Sequence, residues 1–322
     1  MKVKVSFIGC GGIAGAHMSA LSKIEDVEFV AFCDVVEEKA KQKAQIYGGK
    51  VFTDYKKMLD EEKVDACYIC VPPFAHNGQE ELCIEKGIPF FVEKPVHLVL
   101  EKCKEIAKKI EEKNLITGVG YVLRNYDIVD KAKEVIKNEK IGLVRGKYFG
   151  QVPGAEGSWL HKKELSGGQL IEQATHTVDM MRYLVGDVEE VFAYKFEGIN
   201  NKIYKDYNVE DASVVAMKFK NGVIGNLSCT WLWSGWYSGV EIVGKGVILT
   251  YEGNSLTIDK GNKKEIYISQ EDPMLVEDKN FIEGVKTGNS KIIKSNYQDA
   301  VKTLAVTLKS HESMEKGVPV KI

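Results

Sequence analysis

The sequence predicts an α/β protein of two domains: a doubly wound parallel-sheet domain over 1–121, and over 122–322 an α/β domain with a large, mainly antiparallel open sheet. Three observations predict this. A chain of 322 residues exceeds the size, about 250–300 residues, at which a single hydrophobic core stops growing. The first third alternates short apolar runs with charged segments of helical period, the pattern of parallel strands joined by right-handed helical crossovers. Beyond residue 121 that alternation gives way to longer strand-like runs separated by turn signals.

In order, KVKVSFIG leads into GIAGAHMSALSKI, VEFVAFCD into VEEKAKQKAQIYG, VDACYICV into AHNGQEELCIEKG, and PFFVEKP into LVLEKCKEIAKKIEEKN, with ITGVGYV as a further strand. The second domain opens with the helix-like YDIVDKAKEVIKNEKIG, the strand LVRGKYFG, the glycine-rich loop GAEGSWLHKKELSGG and a helix over 167–185. The strands EEVFAYKFEG, DASVVAMKFK, VIGNLSCTWLW, GVEIVGKGVILTYEG and SLTIDKG follow, two of them joined at Asn221-Gly222, a hairpin signal because both residues tolerate positive φ. The chain ends in the helical NFIEGVKTG and YQDAVKTLAVTLKSHESMEKG, the latter free to pack back on the first domain.

Composition excludes several classes of partner. A net charge of -2 with 28% charged residues leaves no basic surplus for nucleic acid, and no apolar run approaches a membrane span. A soluble, cytoplasmic protein acting on small molecules is expected. The start MKVKVSFIGCGGIAGA mimics a short export signal, but its glycines and the following amphipathic stretch suit a first strand and its turn. The seven cysteines are scattered in apolar runs, as reduced thiols would be. Cys67 and Cys70 form a C-x-x-C, yet residues three apart on a strand point to opposite faces, so packing is expected and no metal.

Gly9-Cys10-Gly11-Gly12-Ile13-Ala14 fits G-x-G-x-x-G/A directly after a strand and at the opening of a helix. Gly9 allows the tight turn, Gly11 lets backbone approach a pyrophosphate, Ala14 permits close helix packing, and the helix N-terminus offers N–H groups to phosphate. Asp34 ends the second strand, where a carboxylate accepts from a ribose 2′-OH and repels a 2′-phosphate; Val35 and Val36 offer no cation, so NAD is expected over NADP. Val71-Pro72-Pro73 stiffens a loop at the carboxyl edge of the sheet, where a cofactor would pass.

On a helical wheel, GGQLIEQATHTVDMMRYLV puts Leu170, Ala174, Val178, Met181 and Val185 on one side and Glu172, His176 and Asp179 on the other. The face is either the wet side of a surface helix or an acid/base site. Glu93-Lys94-Pro95 ends a strand at the edge where doubly wound domains hold ligands, which makes Lys94 either a solvated turn lysine or part of the chemistry. Trp231, Trp233, Trp236 and Tyr237 suggest a sugar-stacking platform, but Trp231 and Trp233 share one face of a strand, which favours sheet packing or a subunit interface.

GCGGIAGAH, VDACYICVPPFAH, VEKP, GGQLIEQATHTVD and the closing DAVKTLAVTLKSHESMEKG, in this order over nearly the whole chain, resemble the glucose-fructose oxidoreductase, inositol dehydrogenase and MocA family. The resemblance implies a Rossmann domain binding NAD or NADP and a C-terminal sheet domain used for homo-oligomer contacts, as a dimer or tetramer. It implies that Lys94 contacts substrate and tunes proton transfer, and that His176 is an acid/base or orients the reacting hydroxyl. The family usually has aspartate where this chain has Glu172, which marks either the same hydrogen bond or a subgroup with another substrate.

Together these readings set the expected site. Cofactor contacts are expected from Gly9, Gly11, Gly12, Ile13, Ala14, Asp34, Val71, Pro72, His76, Glu93 and Lys94; Lys94, His176 and Glu172 are the expected catalytic groups. A carbohydrate or polyol would be held by Lys94, Tyr121, Arg124, Trp159, His161, Glu172, His176 and Asp179, each of the non-catalytic ones having an alternative in packing. Histidine suits the general base because its pKa lies near neutrality, with Lys94 polarising the oxygen, though these two roles can be exchanged. The alternatives are an NAD-dependent glycoside hydrolase working by transient oxidation, and a dinucleotide-binding sensor without catalysis.

Overall fold

The computed structural model describes residues 2–322. It divides the chain into one unit that runs to Asn125 and takes in Asp272–Val301, and another of Tyr126–Glu271 with Lys302–Ile322. Residues 272–301, expected in the second domain, therefore belong to the first. The cause is apolar: Phe281 and Ile282 enter the core built around Phe7, Met18, Tyr68 and Phe91.

The first unit alternates β1 (Val3–Ile8), α1 (Gly12–Leu21), β2 (Val27–Cys33), α2 (Glu37–Tyr47), β3 (Lys50–Phe52), α3 (Tyr55–Glu61), β4 (Ala66–Ile69), α4 (Gln79–Lys86), β5 (Phe90–Val92), α5 (Leu100–Glu112) and β6 (Thr117–Val119). The strands are parallel in the order β3-β2-β1-β4-β5-β6. That order reverses beside β1, the position at which doubly wound sheets open a crevice for a dinucleotide. The central strand β4 is buried at every residue, as a strand covered on both faces must be. β3 and α3 lie outside the expected elements; a strand of 3 residues is too short to display an alternating pattern.

The second unit contains α6 (Asp127–Lys137), β7 (Ile141–Gln151), α7 (Lys163–Ser166), α8 (Gln169–Glu172), α9 (Thr175–Val185), β8 (Val188–Phe196), β9 (Ala212–Phe219), β10 (Ile224–Thr230), β11 (Leu232–Gly244), β12 (Val247–Glu252), β13 (Ser255–Asp259) and β14 (Lys264–Ile268). α10 (Pro273–Thr287) returns to the first unit, α11 (Tyr297–Lys316) begins there and continues in the second, and β15 (Val320–Lys321) ends the chain. Nine strands form one sheet in the order β14-β13-β12-β11-β7-β10-β9-β8-β15. Among the described residues of this sheet, only β7 and β10 pair in parallel; the other pairs are antiparallel.

Along β9, Ser213, Val215, Met217 and Phe219 are buried while Val214 on the other face is exposed, the alternation of a half-covered sheet. The register puts Tyr194, Val214, Ile224, Ile248 and Ile266 on that same outer face, all exposed. The hairpin between β9 and β10 forms, but of its two turn residues only Gly222, at φ 87°, uses positive φ. The Gly222 N–H donates to Phe219 O and the Phe219 N–H to Val223 O, so the loop is longer than a two-residue turn. Trp231 and Trp233 do not share a face: Trp231 lies between β10 and β11, 2% exposed, with its indole N–H on Gln173, whereas Trp233 is 47% exposed. Among the described residues, no helix is long and apolar enough to cross a membrane.

Candidate active site

At the end of β1, Gly9 turns the chain at φ 89°, and any side chain there would collide with the Cys70 carbonyl. Gly11 is the N-cap of α1, no side chain caps that helix, and its first turn carries no acid. Beside Gly11 and Gly12 there is open space where a Cβ would point. The α1 terminus therefore offers N–H donors, a partial positive charge and an unobstructed approach for a pyrophosphate.

Asp34 follows β2, with Oδ2 accepting from Cys10 N–H and Oδ1 from Val36 N–H, each at 2.9 Å. These bonds fix the carboxylate against the glycine turn, and each oxygen keeps a second lone pair for a ribose hydroxyl. Val35 is 90% exposed and Val36 48%, so the two residues directly after Asp34 offer no cation for a 2′-phosphate. Cys10 and Cys33 line the same turn as thiols; burial and nearby Asp34 push Cys10 up to about 12, and burial does the same to Cys33, leaving both unreactive near neutrality.

Lys94 follows β5, and its bond to Pro95 is cis. Beneath it lies a cluster that the sequence reading missed. Glu93 is buried, and one carboxylate oxygen accepts the Lys94 N–H at 3.1 Å while the other meets His17 Nε2 at 2.9 Å. His17 Nδ1 meets Asp278 of α10 at 2.9 Å, and the Tyr68 hydroxyl donates to the same carboxylate at 3.0 Å. Burial alone would discharge the ring, but Asp278 and Glu93 outweigh it and hold His17 well above the ordinary histidine range. Gly120 completes the arrangement, because a side chain there would collide with the Glu93 carboxylate.

In the second unit, the expected continuous helix over 167–185 is broken. α8 ends at Glu172 and α9 starts at Thr175; at the junction the Ala174 N–H donates back to Gln169 O, and the His176 N–H donates to Gln173 O. The side chain of Gln173 is pinned at the break, accepting from Tyr148 OH at 3.0 Å and Trp231 Nε1 at 3.4 Å. A side chain held this way can divert an i→i−4 ladder. Glu172 and His176 therefore belong to different helices, each half-buried, and do not stack as successive turns of one.

Several expected site residues are engaged elsewhere. Asp179 is 2% exposed and accepts from Thr303 Oγ1 at 2.8 Å, so it belongs to the interior of its unit, not to a polar face. Arg124 is 1% exposed, pairs with Asp299 at 2.6 Å and donates to Lys294 O at 2.7 Å. His161 is fully buried, its Nε2 at 2.9 Å from Pro153 O and its ring beside Tyr204 and Tyr207. The buried imidazole of His76 is bonded to Glu80 within the first unit, and Glu93 faces His17. These five have structural partners that account for them. Tyr121 is buried and Trp159 half-buried, while Ile13 is 41% exposed beside the glycine turn. Cys67 and Cys70 are buried free thiols.

Comparison with known proteins agrees with this geometry. Residues 3–121 match the family model described as "Oxidoreductase family, NAD-binding Rossmann fold", and residues 129–249 match that of the GFO/IDH/MocA C-terminal domain. The chain is 26% identical to myo-inositol 2-dehydrogenase of Thermotoga maritima, covering 99% of this chain and 98% of that one. It is likewise 26% identical to the scyllo-inositol 2-dehydrogenase (NAD(+)) of Bacillus subtilis, covering 100% and 96%. A solved levoglucosan dehydrogenase, in complex with NADH, superposes with a TM-score of 0.89 at 20% identity over 100% of this chain and 99% of that one, a likeness of fold.

Proposed function

This chain belongs to the GFO/IDH/MocA oxidoreductase family, and from that premise we propose that it is an NAD-dependent dehydrogenase acting on a secondary hydroxyl of a sugar, polyol or related compound. The observation that carries the reading is the uncapped N-terminus of α1, open above Gly11 and Gly12, with the Asp34 carboxylate fixed beside it. Gly9, Gly11, Gly12, Ile13, Ala14 and Asp34 would hold the cofactor, with Val71, Pro72 and Lys94 completing its contacts. When bound, NAD supplies the acceptor for a hydride. Asp34 favours the 2′-hydroxyl over a 2′-phosphate by charge, which selects NAD over NADP.

His176 takes the hydroxyl proton, because an imidazole changes charge near neutral pH without a large perturbation. Lys94 polarises the same oxygen, and Glu172 orients the imidazole or binds a neighbouring hydroxyl. Tyr121 and Trp159 shape the pocket for a carbohydrate. The relatives named for inositol oxidation support a cyclic polyol as the substrate class. The exposed apolar outer face of the second unit's sheet, with Tyr194, Ile224 and Ile266, serves as the contact between copies in a homo-oligomer.

The experiment is a calorimetric titration with NAD and NADP, followed by a panel of cyclic polyols and aldoses monitored at the reduced-nicotinamide band. NAD binding tighter than NADP, with turnover of at least one polyol, is expected. Lys94→Ala and His176→Asn should each lower kcat by about 10²–10⁴-fold with the NAD affinity nearly unchanged. Tight NAD binding with silence over the whole panel, or unaltered turnover in both variants, would overturn the reading.

A further inference from the structure

The mechanism leaves unused the most enclosed ionisable cluster of the first unit. His17 sits on α1 with no exposure at all, and both ring nitrogens meet carboxylates, Nδ1 at 2.9 Å from Asp278 and Nε2 at 2.9 Å from Glu93. Between two ionised carboxylates a neutral imidazole, with its single N–H, would leave one nitrogen lone pair aimed at a carboxylate lone pair; the ring satisfies both as an imidazolium. The titratable groups around it are Glu93 after β5, Asp278 and Glu277 on α10 and Tyr68 of β4, with Cys70 beside the two carboxylates Glu93 and Asp278 and Arg124 acting on Glu277.

The neighbours tell which group holds the protons. Glu277 gives one oxygen to the Asn125 amide at 3.3 Å, and its other buried oxygen has no hydrogen-bond partner. Burial, with Glu93 and Asp278 nearby, lifts Glu277 well above the carboxylate range although His17 and Arg124 oppose it, which favours the neutral carboxyl. The cluster then contains one imidazolium between two carboxylates, with Tyr68 donating to Asp278. Glu93 reaches onward, to the N–H of Lys94 at 3.1 Å.

We propose that His17 is a positioning residue: a permanent imidazolium, braced by Asp278, that fixes the Glu93 carboxylate and through it the backbone from which Lys94 projects. This deepens the proposed function and rests on it for what Lys94 does. His17 exchanges no proton with substrate. Its removal leaves two buried carboxylates without their shared cation, so that one must take up a proton or swing aside. Gly120 leaves the Glu93 carboxylate its place in the fold, and any retreat from His17 displaces the anchor of the Lys94 N–H.

The test uses the full chain, first without cofactor. In protein labelled with ¹⁵N-histidine, long-range ¹H–¹⁵N spectra should show both His17 nitrogens protonated and unshifted from pH of about 6 to about 9, straddling the ordinary histidine value of about 6.5. The assignment comes from His17→Gln. A ring that titrates within that range overturns the proposal. With lysines reductively ¹³C-methylated and Lys94 assigned from Lys94→Ala, His17→Gln should shift or broaden the Lys94 signal, and Glu93→Gln should do the same should His17→Gln not fold. An unmoved Lys94 signal in a folded variant also overturns it. With NAD and a polyol that the wild type oxidises, His17→Gln should lower kcat by about tenfold or more while the Kd for NAD stays within about threefold; an unchanged kcat counts against the proposal. Failure of the wild type to turn over any polyol would count against the functional reading instead, and the two spectroscopic readouts would still decide the role of His17.

Discussion

The turn that carries Lys94 and the start of the helix that carries Glu172 are built on the same device and charged in opposite ways. In the first unit the buried Glu93 is held by His17 and occupies the space that Gly120 leaves. In the second, Glu210 is fully buried, lies 3.1 Å from His311 Nε2, and occupies the space left by Gly168, the residue before α8. The difference is the count of charges. Glu93, Glu277 and Asp278 share His17, and despite it burial leaves Glu277 well above the carboxylate range and raises Asp278 from its ordinary value. Glu210 faces His311 and shares Lys163 with the exposed Glu315; burial would lift it, but these two cations pull it down to about 2. A buried histidine–carboxylate pair thus retains protons or gives them up according to how many acids surround it, not according to the pair alone.

The largest effects should come from filling the two glycine positions. Gly168 has φ 83° and faces Glu210 Oε1 at 2.8 Å from an added Cβ, so Gly168→Ala combines backbone strain with a displaced buried carboxylate. A loss of about 3 kcal/mol or more is expected in denaturant unfolding. Gly120→Ala requires only that Glu93 move, and should cost about 2 kcal/mol. Gly120→Ala should also disturb the Lys94 signal as His17→Gln does. A Gly120→Ala protein of wild-type stability would break the comparison, because it would show that Glu93 is not confined.

Next in size are effects of opposite pH sign. Glu277 has its folded pKa raised, so its contribution is fully present below the unfolded value of about 4.3 and is lost as pH rises, at about 1.4 kcal/mol per unit. Glu277→Gln removes that loss, and should gain stability on the wild type as pH rises above about 4.3. Glu210 has its folded pKa lowered to about 2, so its contribution is present above about 4.3 and disappears as pH falls toward that value. Glu210→Gln should cost about 2 kcal/mol near neutrality and progressively less on acidification. Melting temperatures of the two variants against the wild type across pH measure both; parallel curves would show that the two clusters carry the same charge balance.

What could be read from the sequence was what lies close in the sequence. The glycine turn and Asp34 belong to one strand–helix–strand unit, and the functional reading of Lys94 needed only its place after a strand. The His17–Asp278 contact joins residues 261 apart, and no local pattern marks it. The break between α8 and α9 was hidden for another reason: the apolar period continues across it, and Gln173, the residue at the break, is held by Tyr148 of β7 and by Trp231 between β10 and β11, both distant in sequence. Asp179 looked like part of a polar face because its partner, Thr303, lies on α11, 124 residues on. The hairpin at Asn221-Gly222 and the parallel character of the first sheet, whose signals are local or periodic, were both legible.

The smallest expected effect separates the supporting partners of the two clusters. Tyr68→Phe removes the hydroxyl that donates to Asp278 at 3.0 Å but keeps a ring stacked against Phe7 and Phe91, so packing is conserved. The lost bond is buried and made to a charged acceptor, and should cost about 1.5 kcal/mol. Lys163→Met removes a cation 3.7 Å from Glu210 whose side chain is 27% exposed. Its contribution is screened by solvent, and a loss of about 0.5 kcal/mol is expected, with the acid-side decline of stability moved to higher pH because one of the two cations holding Glu210 down is gone. Denaturant unfolding at neutral and mildly acidic pH reads both variants. A Lys163→Met loss equal to or larger than that of Tyr68→Phe would mean that Glu210 depends on the lysine as much as on His311, and that the second cluster is a three-membered network where the first is a clamp.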